Sequence, residues 1–351
     1  MKRKFIRAVA GCIVATVLLS IAVSAEPIIS ADSAVLLDGL TGRVIYEKNA
    51  HQRAMVASTT KIMTGLLIAE SCDLQANVQI PAEAVGIEGS SIYLKENEIL
   101  TVETLLYGMM LHSGNDAATA LALYCAGSEG AFVEKMNRRA AQIGLSKTNY
   151  VNPHGLDADA HYSTAFDLAR LAAVALENEI FYRVVSAKTM IAGDRTFVNH
   201  NKMLWKYEGA IGVKTGYTMA AGRILVSAAE RNGRRLICVT IRDKNDWADH
   251  AALLDYGFSS FDMRQLAASG TVLGEVPVLA GAELSAQTVL KEDLFYCVAG
   301  NEEVSLCANL PAFVYAPILA GDTAGTLSVL INGIEVLSVP LYWRYSVLEG
   351  T

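Results

Sequence analysis

Apolar residues along this chain change their spacing once, and the change separates two kinds of structure. Over residues 58–70, 102–110, 117–125, 130–144 and 163–177 they recur every three to four positions, which predicts helices, with Ser58 placed to cap the first and Ser163-Thr164 the last. Beyond about Arg264 the runs are short, rich in Val and Leu, and cut by Gly, Asn, Asp and Pro. "GTLSVLINGIEVLSVPLYW", with Asn332-Gly333 at a hairpin, is typical and predicts strands joined by tight turns.

Strand signals also frame the helical block. Residues 35–37 and 44–46 are β-prone runs separated by "DGLTGR", whose glycines turn the chain into an antiparallel hairpin. "GRILVSAAE" and "RLICVTI" pair through Arg231-Asn232-Gly233, and "DWADHAALLDYGF" reads as a helix ending near Gly257. Strands before and after a helical block describe an α+β fold, an antiparallel sheet flanked by helices. The expected organisation is a leader over 1–25, a main domain over 26–262 and a β-rich domain over 263–351.

The leader has a basic head of Lys2, Arg3, Lys4 and Arg7, a mostly apolar run from Phe5 to Val23, and the small-residue site Val23-Ser24-Ala25. It reads as a secretory signal or, if retained, a membrane anchor, and both place the remainder outside the cytoplasm. The formal charge of the whole chain is −7. Loss of the basic head makes the rest more acidic still, so nucleic acid is not expected as a partner. The six cysteines include no C-x-x-C pair, so neither zinc nor a dense disulfide framework is expected. Cys297 and Cys307 are near enough in sequence to pair across neighbouring strands; small buried thiols are the simpler reading.

Within the first helical pattern, "VASTTKIMTGLL" sets Lys61 one turn beyond Ser58, so that its amine can approach the hydroxyl. A serine hydroxyl is a weak nucleophile and needs a base within reach. Lysine serves as that base only when neutral, a state favoured by burial among Ile62, Met63 and Leu66 or by a second cation. Alone the motif is weak, because in most helices such a lysine is solvated. "LHSGNDAA" adds Ser113 and Asn115, a hydroxyl and an amide that either converge on one ligand or cap the next helix. "GVKTGYT" adds Lys214, Thr215 and Gly216. A cation, a hydroxyl and an uncrowded strand edge suit an extended peptide ending in a carboxylate; the plainer reading is a polar turn.

Ser-x-x-Lys, Ser-x-Asn and Lys-Thr-Gly, in that order, resemble the motif set of penicillin-binding proteins and serine β-lactamases. Their flanks resemble the low-molecular-weight D-alanyl-D-alanine carboxypeptidases in "LLDGLTGRVIYEKNAHQRAMVASTTKIMTGLL", "VGIEGSSIYL", "LLYGMMLHSGNDAA", "YVNPHGLD", "KTGYTMAAGRILVSAAERNGRRLICVTI" and "LLDYGF". The likeness runs from about Ala34 to Phe258 and more loosely through the C-terminal domain. It implies a β-lactamase/transpeptidase-like domain, with a helical subdomain carrying Ser113, followed by a small all-β domain.

The resemblance implies roles as well. Ser58 would be acylated, Lys61 would be its base, Ser113 would relay a proton, and Asn115 would contact the substrate amide. Lys214, Thr215 and Gly216 would bind the substrate along the strand edge, with Lys214 also keeping Lys61 neutral. The N–H groups of Ser58 and Tyr217 would form the oxyanion hole, and Arg242 is the nearest candidate to help hold a terminal carboxylate. His200 lies where relatives can carry arginine, although a structural histidine fits its surroundings better.

The implied reaction removes the terminal D-alanine from peptidoglycan stem peptides, with β-lactams acylating the same serine and with no metal or organic cofactor. The alternatives are a serine β-lactamase and a non-catalytic wall-binding or antibiotic-sensing protein. Two features depart from the family pattern. Val56 stands where a proline is usual, and the final "VPLYWRYSVLEGT" is not a C-terminal anchor helix, so a free or wall-associated protein is expected. The resemblance leaves the oligomeric state open.

Overall fold

The computed structural model describes residues 25–350; the leader lies outside the described residues. Two compact units divide the chain, Ala25–Phe258 and the part from Ser259 onward. The first opens with strands β1 (Ser33–Asp38) and β2 (Val44–Lys48), a 3₁₀ turn (Ala57–Thr60) and helix α1 (Lys61–Ser71). A short strand pair, β3 (Asn77–Gln79) and β4 (Ile99–Thr101), leads to α2 (Val102–Leu111), α3 (Asn115–Ala126), α4 (Glu129–Ile143), α5 (Ala165–Leu176) and α6 (Glu179–Ser186). The small hairpin of β5 (Thr189–Ala192) and β6 (Arg195–Val198) and the single turn α7 (Met203–Lys206) precede β7 (Ala210–Thr218), β8 (Gly222–Arg231), β9 (Arg234–Ile241) and α8 (Asp246–Ser260).

Five of these strands form one antiparallel sheet in the order β2-β1-β9-β8-β7. Helices cover both of its faces, so β1 is buried at every position rather than at alternate ones. Val35 and Leu37 join the helical core, whereas Leu36 lies against α8. Gly257 makes that contact possible: a Cβ there would come within 2.7 Å of both Leu36 and Leu236. The glycine therefore permits close packing and does not end the helix, which runs on to Ser260.

Four of the eight helices named start with a side-chain cap that satisfies free N–H groups. Thr101 accepts from Thr104 N, Ser128 from Ala131 N, and Thr164 from Asp167 N. The first helix differs. Ser58 lies in the 3₁₀ turn, α1 begins at Lys61, and Thr60 at the cap position makes no side-chain cap. The expected capping role of Ser58 is thus not met, because its hydroxyl faces Lys61 instead. Every residue from Lys61 to Ala69 is buried. Each core leucine along this stretch stabilises the fold by roughly 1.5–3 kcal/mol.

The second unit is all β. Strands β10 (Phe261–Ala267), β11 (Val272–Leu279), β12 (Ser285–Val289), β13 (Leu294–Ala299), β14 (Val304–Asn309), β15 (Val314–Tyr315), β16 (Thr323–Ile331) and β17 (Ile334–Trp343) form two sheets. One pairs β10 with β13; the other has the order β14-β16-β17-β12-β11-β15. The β16–β17 hairpin turns at Asn332-Gly333, both with positive φ. Its core gathers Leu290, Leu294, Leu327, Val329 and Leu341. Cys297 and Cys307 fall on β13 and β14, strands of different sheets, and all five described cysteines are thiols. Among the described residues no helix is long and apolar enough to cross a membrane.

Candidate active site

The 3₁₀ turn, the start of α3 and the edge strand β7 bring the three motifs together. Lys61 is fully buried, and its Nζ lies 2.9 Å from Ser58 Oγ, 2.7 Å from Asn115 Oδ1 and 2.6 Å from the His154 carbonyl oxygen. Two of these neighbours can only accept hydrogen bonds. A neutral amine has two N–H donors and one lone pair. In the neutral form those donors go to Asn115 and His154 and the lone pair faces the Ser58 hydroxyl, whereas a charged amine would donate to all three.

Electrostatics favour the same state. Burial, and after it the charge of Lys214, holds the Lys61 amine well below the usual lysine range, against a weaker opposing pull from Asp116. Lys214 is itself 2% exposed, and burial brings its amine down to about 7. Its Nζ donates to the Thr215 carbonyl and lies 3.1 Å from Ser113 Oγ. Ser113 therefore links Lys214 to the loop that precedes α3, with φ of +66°. The alternative role for this loop, a capped helix start, is not what the structure shows: Gly114 occupies the cap position and no side chain caps there.

Gly216 sets the close approach of β7 to the serine. A Cβ on it would lie 3.3 Å from Ser58 N and 3.2 Å from Thr59 N. Thr215 and Tyr217 occupy the opposite strand face from Lys214 and Gly216, and Tyr217 is 64% exposed. Arg242 does not join the hydrogen-bonded group. It follows β9, and its Nη2 donates to Ala220 O in the turn after β7, at the end of that strand away from Lys214. His200 packs its ring 5.0 Å from that of His112, with burial and then Lys214 lowering it to about 4, so it is neutral at pH 7.

Several groups that hold the site carried no motif in the sequence. Asp116, at 1% exposure, accepts from Ile92 N, Leu94 N and Ser91 Oγ, which ties the loop before β4 to α3. From that loop Glu88 O receives Asn115 Nδ2, fixing which amide atom faces Lys61. Residues 152–157 form a strap across the head of α1. Pro153 O accepts from Thr64 Oγ1, Asn152 Oδ1 accepts from Gly155 N, and Asp157 accepts from Thr218 Oγ1 at the end of β7. His161 supports the strap from below. Its Nδ1 accepts from Val151 N, so Nε2 carries the proton and donates to Thr60 Oγ1; burial lowers its pKa to about 4. The strap resembled a known pattern only as "YVNPHGLD", because its contribution is a backbone carbonyl that any residue supplies.

One pH effect follows. If Lys214 holds a terminal carboxylate, as the resemblance implies, recognition in the free protein requires its charged form, present below about pH 7 and lost above it. The value of kcat/KM for a carboxylate-terminated peptide is therefore expected to fall as pH rises past about 7, through KM. Lys214→Arg, whose guanidinium stays charged, should flatten that limb. A kcat/KM that keeps climbing to about pH 9 would refute the assignment.

A buried lysine, a Ser-x-Asn loop and an edge strand converging on one serine within an α+β domain place this protein among the penicillin-recognising serine enzymes. Comparison with known proteins narrows the class. The profile of the D-alanyl-D-alanine carboxypeptidase family matches residues 21–245, and that of the penicillin-binding protein 5 C-terminal domain matches residues 261–348. The chain belongs to the D-alanyl-D-alanine carboxypeptidase family. It is 34% identical to the D-alanyl-D-alanine carboxypeptidase DacF of Bacillus subtilis, over 88% of this chain and 83% of that protein. It is 35% identical to DacD of Salmonella typhimurium, over 92% and 88%. The crystal structure of penicillin binding protein 5 from Haemophilus influenzae superposes with a TM-score of 0.84 at 30% identity, covering 93% of this chain and all of that one.

Proposed function

We propose that this chain is a serine D-alanyl-D-alanine carboxypeptidase in which Ser58 is the nucleophile and Lys61 its base. The observation that carries the reading is the set of partners around Lys61 Nζ, which leaves a lone pair for the serine proton. The Ser58 oxygen attacks the carbonyl carbon between the two terminal D-alanines while Lys61 takes the proton. Negative charge develops on the carbonyl oxygen and is met by the N–H groups of Ser58 and Tyr217. The Ser113 hydroxyl, beside Lys214, passes a proton to the departing amine and regains one from the Lys61 ammonium, so D-alanine leaves and Lys61 is neutral again. Water then attacks the acyl-enzyme and frees the shortened stem.

Lys214 and Thr215 hold the terminal carboxylate, and Asn115 orients the adjacent amide. The substrate pairs along β7, whose outer edge has no strand partner among the described residues. Arg242, which donates to Ala220 O in the turn between β7 and β8, would act on the incoming stem peptide or on the carboxylate after movement of its side chain. The peptidoglycan substrate and the leader together support a place outside the cytoplasm. β-Lactams, whose strained amide imitates the scissile bond, acylate the same oxygen.

Intact-protein mass spectrometry after brief exposure to benzylpenicillin tests the reading. One adduct should form, map to the Ser58 peptide and persist for many minutes. Sustained rapid hydrolysis of nitrocefin would favour a β-lactamase, and a stable adduct without D-alanine release from pentapeptide would favour a sensor.

A further inference from the structure

The ends of α1 and α3 remote from the active site hold a second reactive pair. Both helices begin at the site, where Lys61 and Asn115 are joined, and both run away from it. Cys72 follows the last residue of α1, and Cys125 is the penultimate residue of α3. The two thiols are near enough for each to perturb the ionisation of the other. Lys135 of α4 reaches the same point: its Nζ donates to the Cys125 carbonyl at 3.1 Å and lies 3.8 Å from Cys125 Sγ. Neither cysteine is enclosed, in contrast to Cys238, which is fully buried and whose thiol burial pushes well up.

Two interacting thiols, one beside an ammonium and both only partly buried, are the parts of a thiol–disulfide exchange centre. The neighbouring Cys72 thiol, and after it the charge of Lys135, lowers the Cys125 thiol against the opposing effect of burial. The position of Lys135 beside Cys125 Sγ makes Cys125 the attacking sulfur and Cys72 the resolving one.

We propose that Cys72 and Cys125 are an exchange site for low-molecular-weight disulfides, closing to an intramolecular disulfide that ties the distal ends of α1 and α3. The Cys125 thiolate attacks one sulfur of the disulfide RSSR, forming a Cys125–S–R mixed disulfide and expelling RS⁻. RS⁻ takes the proton of Cys72, whose sulfur then attacks Cys125 Sγ and expels the second RS⁻, protonated from water or by the proton Cys125 had released. Two protein thiols are oxidised and one RSSR is reduced to two RSH, so no further oxidant is required. The product fixes the far ends of the two helices whose near ends hold Lys61 and Asn115.

Oxidised glutathione is the probe. The full chain is incubated with it near pH 7, remaining thiols are alkylated, and peptides are mapped by mass spectrometry. The wild-type protein should lose two alkylatable thiols and yield a Cys72–Cys125 cross-linked peptide with no retained glutathione. Cys72→Ser should stop at a glutathione adduct on Cys125. Lys135→Met should slow adduct formation several-fold near pH 6 and much less near pH 9, where the thiolate forms without help. The proposal is overturned if Cys72 and Cys125 stay alkylatable in the wild-type protein, if the cross-link joins another pair, or if the Cys72→Ser adduct sits on a different cysteine.

Discussion

Lys61→Met is expected to lower the rate of penicillin acylation by about 10⁴ while leaving the protein folded. The substitution keeps an unbranched side chain of similar length in a fully buried position, so packing around α1 changes little. What disappears is the lone pair facing Ser58 Oγ. Two acceptors, Asn115 Oδ1 and His154 O, also lose their donor, at a cost of about 1–3 kcal/mol each if water does not replace it. Thermal unfolding separates the two effects. Acylation lost at a slightly lowered Tm supports the base role, whereas penicillin labelling at near wild-type rate would remove it.

Gly155→Ala is expected to be the most damaging single methyl addition near the site. Gly155 has a φ of +91°, and an added Cβ would lie 1.9 Å from Ala57 O and 2.4 Å from Ala57 C, both backbone atoms that cannot rotate aside. Strain in this region alone costs roughly 1–3 kcal/mol, and relief of the clash requires the strap to lift. Lifting it carries His154 O away from Lys61 Nζ, since the two residues are adjacent in the strap. The predicted result is a loss of roughly 3 kcal/mol in stability together with an acylation rate down by about 10², because a displacement near 1 Å is enough to cost that much. Urea unfolding and penicillin acylation kinetics check both. A variant of wild-type stability that acylates normally would show that the strap does not position the lysine.

How much of this was legible depends on whether chemistry is concentrated in side chains or spread over backbone. Ser58, Lys61, Ser113, Asn115 and Lys214 each need one residue type at one spacing, and the structure joins Ser58, Lys61 and Asn115 in one hydrogen-bonded group and Ser113 with Lys214 in another. Arg242 had no such spacing to support it, and it lies apart from them. His154 contributes a carbonyl, and a carbonyl leaves no trace in composition. Ser58 looked like a cap because caps and nucleophiles use the same hydroxyl; a 3₁₀ turn with Ala57 at φ +45° turns it toward Lys61 instead. Gly257 looked like a helix end, since a glycine chosen for a left-handed cap and one chosen for close packing read alike.

The cysteines show the same limit at longer range. Cys297 and Cys307 are close in sequence, yet β13 pairs with β10 and β14 with β16, so their strands are not paired with each other. Cys72 and Cys125 are far apart in sequence and meet because two helices share a start and a direction. In the second unit the alternation of strands was readable, but the parallel pairing of β11 with β15 within a mostly antiparallel sheet was not, because strands as short as Val314–Tyr315 carry almost no pattern.

The reaction itself can be measured directly. Purified protein and its Ser58→Ala variant, incubated with a defined stem pentapeptide ending in D-alanyl-D-alanine, are assayed for free D-alanine. The wild-type chain should release one D-alanine per pentapeptide and the variant none above background. Release by the variant at a comparable rate, or none from a wild-type protein that still binds penicillin at Ser58, would contradict it.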